Sequence, residues 1–306
     1  MTRGALVLCA GTIPRATFRE RVAAARAGGF DGISLRLGDY ARARAEGLSD
    51  DEMRALLAAE GVAVGELEAL TAWRPGATPA RPEHAEPRVL AIAEALHARS
   101  ISVVEGPGAP LPVDAAAEAF GALCDRAAAR GLLVHVEFWP GSALDLATAA
   151  AVIAAADRPN GGLLVDTWHL ARTRGGTALL EGISGARIGA VQISDSPRVE
   201  EPEPDYLAAA LNRRLVPGEG SLDLVGFLRL LQAGGSPAPI GVEICSARLA
   251  AEPPETVARR AGDAIRALLA AARRERAHGS PSSCPKADDG TPDLRRGSRA
   301  RYDDAT

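Results

Sequence analysis

The sequence predicts a single (β/α)8 TIM barrel, residues 1–272, followed by a disordered C-terminal tail, residues 273–306. Three observations carry that expectation. Eight short apolar runs alternate with alanine-rich segments of helical length. Several of those segments end in glycine just before the next run. Four runs of the second half each hold one side chain able to bind a metal ion, which suits strands whose ends meet around one point. Alternating strands and helices build a parallel sheet covered by helices, and eight repeats close it.

The apolar runs are 5–10, 32–37, 62–67, 100–104, 132–138, 162–166, 188–193 and 240–245. Most are rich in Val, Ile and Leu, as strands buried on both faces should be. Helical patterns fill 17–27, 50–59, 86–98, 114–129, 144–156, 222–231 and 254–272, whereas the link 172–185 is short and glycine-rich and gives the weakest pattern. Gly28-Gly29, Gly61, Gly131 and Gly234-Gly235 mark left-handed helix ends. Ser49 followed by Glu52 reads as a capping box. A doubly wound open sheet is the rival architecture. It would want a glycine-rich turn after the first strand, and Cys9-Ala10-Gly11-Thr12 opens no Gly-x-Gly-x-x-Gly motif.

With 47% apolar residues, the chain can build a large core. The net charge of −4 and the lack of a basic block in the body of the chain disfavour a nucleic-acid partner. The only lysine is Lys286, in the expected tail, so chemistry through a lysine imine is excluded unless the tail folds back into the site. The four cysteines are far apart and form no Cys-x-x-Cys pair, which argues against structural zinc and fits a reducing compartment. Neither a secretory leader nor a membrane span is expected, so the location is read as cytoplasmic. From Arg273 on, apolar residues are few and no period persists.

The chemistry concentrates in four runs: His135-Val136-Glu137, Val165-Asp166, Val191-Gln192 and Val242-Glu243. A carboxylate inside a buried strand is costly unless something positive meets it. Strand parity turns His135 and Glu137 to one face, and places Asp166, Gln192 and Glu243 inward with them. Four oxygen donors on adjacent strands can converge on one divalent cation, and oxygen-rich ligation favours Mn²⁺ or Mg²⁺.

The segments Leu164-Val-Asp-Thr-Trp-His169, Val191-Gln-Ile-Ser-Asp195, Pro217-Gly-Glu-Gly-Ser-Leu-Asp223 and Gly241-Val-Glu243 resemble the xylose isomerase-like TIM barrel superfamily, which includes sugar phosphate isomerases and epimerases. The resemblance implies metal ligation by Glu137, Asp166, Gln192 and Glu243, with glutamine where many relatives have histidine. It implies a divalent-metal-dependent sugar (phosphate) isomerase or epimerase in which Glu137 and Glu243 exchange protons next to a carbonyl through a metal-stabilised enediolate. His169 would donate to a substrate oxygen or orient a ligand, or else is satisfied by loop backbone. His135 is either a partner of the carboxylates or a core histidine. Arg36 reaches the substrate or pairs with Glu68 at the mouth. Trp139 and Trp168 form an apolar wall or pack the core, and Arg214 in the loop before the last helices could clamp an anion. Asp195 is expected to orient that loop.

Two alternatives remain. One is a lyase of the same scaffold, dehydrating an inosose or a 3-dehydroshikimate-type acid. The other is a non-catalytic barrel with metal binding weakened by Gln192. Phosphodiester cleavage needs a histidine-rich zinc cluster, and the chain has five histidines in total. The expected partner is a small sugar, polyol or hydroxy acid, and a homo-oligomer is possible for such barrels.

Overall fold

A computed structural model describes residues 4–197 and 205–278. Each apolar run becomes a strand: β1 Leu6–Leu8, β2 Gly32–Arg36, β3 Ala63–Leu70, β4 Ser100–Val104, β5 Leu133–Glu137, β6 Gly161–Asp166, β7 Ile188–Ile193 and β8 Ile240–Val242. Each strand pairs in parallel with its sequence neighbours, and β8 pairs with β1, so the sheet closes as a barrel. The first and last strands are shorter than their apolar runs, and Glu243 lies just past the end of β8.

The surrounding helices are α1 Phe18–Gly28, α2 Leu37–Ala45, α3 Asp50–Glu60, α4 Glu86–Ala95, α5 Val113–Ala128, α6 Leu146–Ala156, α7 Thr167–Ala171, α8 Gly176–Glu181, α9 Tyr206–Asn212, α10 Leu224–Ala233 and α11 Pro254–His278. Thr17 and Ser49 form capping boxes with Glu20 and Glu52. Gly29 and Gly61 end α1 and α3 at φ 70° and φ 66°, a backbone region that favours glycine.

Several helices depart from the sequence expectation. Helix α2 follows β2 directly, without the Ser/Thr start that would have announced it; the Asp39 carboxylate instead accepts the Arg36 N–H at 3.1 Å. The weak link 172–185 yields the short α8, and α7 precedes it. Finally, α11 runs to His278, so residues 273–278 of the expected tail are helical. Arg273 and Arg274 favour that extension, because cations stabilise a helix C-terminus. The rest of the expected tail lies outside the described residues, as does Cys284; Cys9, Cys124 and Cys245 are buried free thiols.

The aliphatic core lies between strands and helices, with Leu35, Leu67, Ile101, Val134 and Val136 fully buried. The barrel interior is polar by contrast: Ser34, Glu66, Ser100, Ser102 and His135 are buried there. One irregularity makes room for the imidazole. The β6–β7 register shifts between Leu163 and Leu164, which skips Gly189. A Cβ at Gly189 would stand 2.3 Å from His135 Nε2. Among the described residues no helix is long and apolar enough to cross a membrane.

Helix α1 packs on α11, backbone against backbone. A Cβ at Gly262 would lie 2.1 Å from the Gly28 carbonyl oxygen. Gly262→Ala is expected to lower stability by about 1–3 kcal/mol through overpacking, read as a lower urea midpoint with an unchanged slope.

Candidate functional site

The C-terminal ends of the strands open into a cavity of about 380 Å³. Arg36 from the end of β2, Glu68 from β3 and Glu137 from the end of β5 line it. Trp139, His169, Arg214 and Glu243 line it too, from the loops and helices that follow the strands. The remaining expected residues lie elsewhere. Asp166 is fully buried beneath the cavity. Trp168 packs behind it with Ala209 and Ala210, and the Arg172 guanidinium stacks 3.4 Å from the centre of its ring. His135 sits deeper in the barrel, its Nδ1 3.4 Å from Glu66 Oε2.

Gln192 neighbours Asp166 in the strand register but lines a smaller cavity of about 20 Å³, together with Cys9, Ser34, Glu66 and Ser100. Its Oε1 is buried without a hydrogen-bond partner. A carbonyl oxygen left this way is unusual, since most buried acceptors are satisfied.

Asp166 is fixed on both oxygens. Oδ1 caps α7 by accepting the N–H groups of Trp168 at 2.6 Å and His169 at 3.3 Å. Oδ2 accepts from Arg214 Nη1 at 2.5 Å. The same Nη1 lies 3.1 Å from Glu243 Oε2. Arg214 is itself buried, and its Nε donates to the Ala210 carbonyl at 2.7 Å. On the opposite wall Arg36 stands 3.7 Å from both Glu68 Oε2 and Glu243 Oε1. The pairing of Arg36 with Glu68 is thus present, and Arg36 also faces the cavity.

These contacts sort the acids. Burial pushes the Asp166 carboxyl up, but the Arg214 guanidinium and His169 outweigh it and hold the group below the ordinary range. Burial pushes Glu243 up to about 8, and Arg214, shared with Asp166, only partly opposes this. Glu68 is also raised by burial, with Arg36 opposing. Glu66 is raised well above its usual value by burial and by the neighbouring Glu68 and Glu137. Burial, reinforced by Arg99, lowers the His135 imidazole to about 3 and keeps it neutral.

At the mouth and just beneath it, Glu68, Glu137, Asp166 and Glu243 gather around two guanidinium groups, Arg36 and Arg214, and the His169 imidazole, which faces Glu137. A divalent cation would offset the remaining negative charge of such a cluster. The donor set fits such an ion. Glu137, Asp166 and His169 each offer a ligand atom, and these atoms lie within 4.8 Å of one another. The orphaned Gln192 Oε1 is on the strand next to Asp166. Glu243 instead faces the two arginines.

The sequence reading missed Tyr206, whose hydroxyl hydrogen-bonds His169 Nδ1, and with it the helix α9, which also carries Leu207, Ala210 and Leu211 to the cavity. The signal was present: Asp205 is a capping residue ahead of Tyr-Leu-Ala-Ala-Ala-Leu, a short helical pattern.

Comparison with known proteins now adds to this geometry. The family model described as xylose isomerase-like TIM barrel matches residues 22–268. The chain belongs to the xylose isomerase-like TIM barrel family. Among curated relatives of the family member, a 3-dehydroshikimate dehydratase of Pseudomonas aeruginosa is 30% identical over 158 residues, 51% of this chain and 24% of the relative. A protein of the same name from Pseudomonas putida is 32% identical over 114 residues, 37% of this chain and 17% of the relative. The alignments thus span a quarter or less of those longer proteins. Among solved structures, a xylose isomerase-like TIM barrel/4-hydroxyphenylpyruvate dioxygenase fusion protein superposes with TM-score 0.78 at 20% identity, covering 93% of this chain and 46% of that one. An IOLI protein with a bound zinc atom gives TM-score 0.76 at 17% identity, covering 87% and 98%. D-allulose 3-epimerase from Methylomonas sp. in complex with D-allulose gives TM-score 0.66 at 18% identity, covering 87% and 98%. At these identities the structural matches speak for the family fold.

Two outcomes are expected from the electrostatics. Arg214→Met should destabilise the metal-free protein by about 3–5 kcal/mol, because Asp166 and Glu243 lose their buried counter-charge; urea denaturation with chelator measures it. Glu66→Gln should stabilise the fold increasingly as pH rises. A raised native pKa means that the folded state holds its proton more tightly, so wild-type stability falls above the ordinary carboxylate value, by up to about 1.4 kcal/mol per pH unit. Below that value the two proteins should converge, as urea curves at a series of pH values would show.

Proposed function

We propose that this barrel is a divalent-cation-dependent isomerase or epimerase of a small polyhydroxylated carbonyl compound, a sugar or sugar phosphate. The observation that carries the reading is the lining of one cavity: Glu137 and Glu243 face it from β5 and from the end of β8, with His169 and two guanidinium groups around them. Glu137, Asp166 and His169, with Gln192 adjacent, are the residues that would hold the ion. Mn²⁺ or Mg²⁺ suits the carboxylates, and a histidine nitrogen in the set also admits zinc. When bound, such an ion polarises a substrate carbonyl and offsets charge on its oxygen.

The chain's own groups do the rest. One glutamate takes the proton from the carbon beside the carbonyl, and the other returns a proton to the same carbon or its neighbour. In the free site burial raises Glu243 to about 8, which favours its protonated form at neutral pH and suits it to the acid role. Without an ion, His169 Nε2, 3.4 Å from Glu137 Oε1, is placed to donate toward that carboxylate. Arg36 and Arg214 can bind an anionic substituent of the substrate. Trp139 offers an apolar face against the carbon skeleton.

A second reading is supported by the names of the two sequence relatives and by the two cavity arginines: dehydration of a 3-dehydroshikimate-type hydroxy acid. The first step is the same proton abstraction. The electron pair then expels the β-hydroxyl, which leaves as water after protonation by the second carboxyl.

Incubation in D₂O with Mn²⁺ or Mg²⁺ separates the readings. Exchange of a carbon-bound proton across a ketose panel supports isomerisation, and a rising conjugated absorbance with hydroxy acids supports dehydration. Neither signal from ion-loaded protein would sink both readings. Glu137→Gln and Glu243→Gln should each lower kcat by about 10²–10⁴-fold, and Asp166→Asn should weaken ion uptake measured by elemental analysis.

A further inference from the structure

His169 is held from two sides. Its Nε2 faces Glu137 Oε1, and its Nδ1 hydrogen-bonds the Tyr206 hydroxyl. The tyrosine is firmly seated. It opens α9, capped by Asp205, whose Oδ1 accepts the Ala208 N–H at 3.0 Å. Its ring stacks on Trp139, with centroids 5.8 Å apart and planes 13° from parallel. Trp139 is in turn anchored by Nε1 donating to the Glu105 carbonyl at 2.9 Å.

A neutral imidazole carries its proton on one nitrogen or the other, and the partner of one nitrogen decides what the second can do. A carboxylate or backbone carbonyl at Nδ1 would fix the proton there, leaving Nε2 as an acceptor only. A hydroxyl both donates and accepts. It can donate to a bare Nδ1 while Nε2–H points to Glu137, or accept from Nδ1–H while Nε2 offers its lone pair to a cation. Neither arrangement moves the ring.

We propose that Tyr206 is a positioning residue for His169, an amphoteric partner that lets Nε2 switch between donor and ligand with the imidazole fixed in place. This deepens the proposed function and rests on it for the identity of what Nε2 faces. The other end of α9 supports the same view of the helix: the Ala210 carbonyl accepts from Arg214 Nε, so one short helix sets both His169 and Arg214.

The test is long-range ¹H–¹⁵N NMR of the histidine rings, with His169 assigned from a His169→Gln spectrum. Zn²⁺, which is diamagnetic, serves as the probe ion at fixed pH. In metal-free wild type, Nε2 should carry the proton, and Zn²⁺ should move it to Nδ1. Tyr206→Phe keeps the ring stacking and removes only the hydroxyl. It should give averaged ring shifts for His169 without metal and weaken Zn²⁺ binding by about 10–100-fold, the usual effect of losing a hydrogen-bond partner behind a metal ligand. An unchanged His169 spectrum and unchanged Zn²⁺ affinity in Tyr206→Phe would overturn the proposal. If wild type binds no Zn²⁺ while the metal-free spectra still differ, the metal reading fails and the positioning role of Tyr206 stands.

Discussion

Collecting carboxyl groups of one sign inside a closed, low-dielectric barrel is the constraint on which the site depends. Such groups repel one another and lose their water, and each must find a proton or a cation. Arg214 answers part of that demand by lying between Asp166 and Glu243, and Arg36 answers another part between Glu68 and Glu243. Lower in the barrel Glu66 lies beside Ser100 and a neutral His135, and burial raises its pKa well above the ordinary range. The deepest acid is thus the one whose charge is least supported.

Much of the fold was legible because its determinants are local. The apolar runs, the glycine ends of α1 and α3 and the capping box at Ser49 depend on residues a few positions apart. Parity was legible too, and it put Glu137 and Glu243 on the cavity. What was not legible depended on distant chain segments meeting. Arg214 could be read as an anion clamp, but not as a cation inserted between two acids 48 and 29 residues away. Gln192 and Asp166 are register neighbours, yet the amide lines the inner cavity and not the mouth, and no sequence pattern encodes that choice. Tyr206 was passed over because α9 is a brief helix inside a long connection, where a strand-by-strand reading has least to hold.

The loop that carries Arg214 is organised by one buried acid. Asp195 pairs with Leu215 through the backbone, accepts the Gly218 N–H at 2.9 Å and accepts the Leu222 N–H at 3.1 Å. Gly220 must lack a side chain there, since its Cβ would meet the Ser196 carbonyl oxygen at 2.2 Å. Asp195 thus pins the segment that follows Arg214, while α9 pins the segment before it. The arginine enters the site on a connection held at both ends.

The Asp166 carboxylate belongs at once to a helix terminus and to the charged pocket. Two backbone amides orient it as soon as α7 forms. The work of aligning that oxygen pair is therefore completed as the chain folds, in keeping with a preorganised group. The same tether joins the carboxylate to the His169 N–H, so one short helix sets both the acid and the backbone of the imidazole's residue.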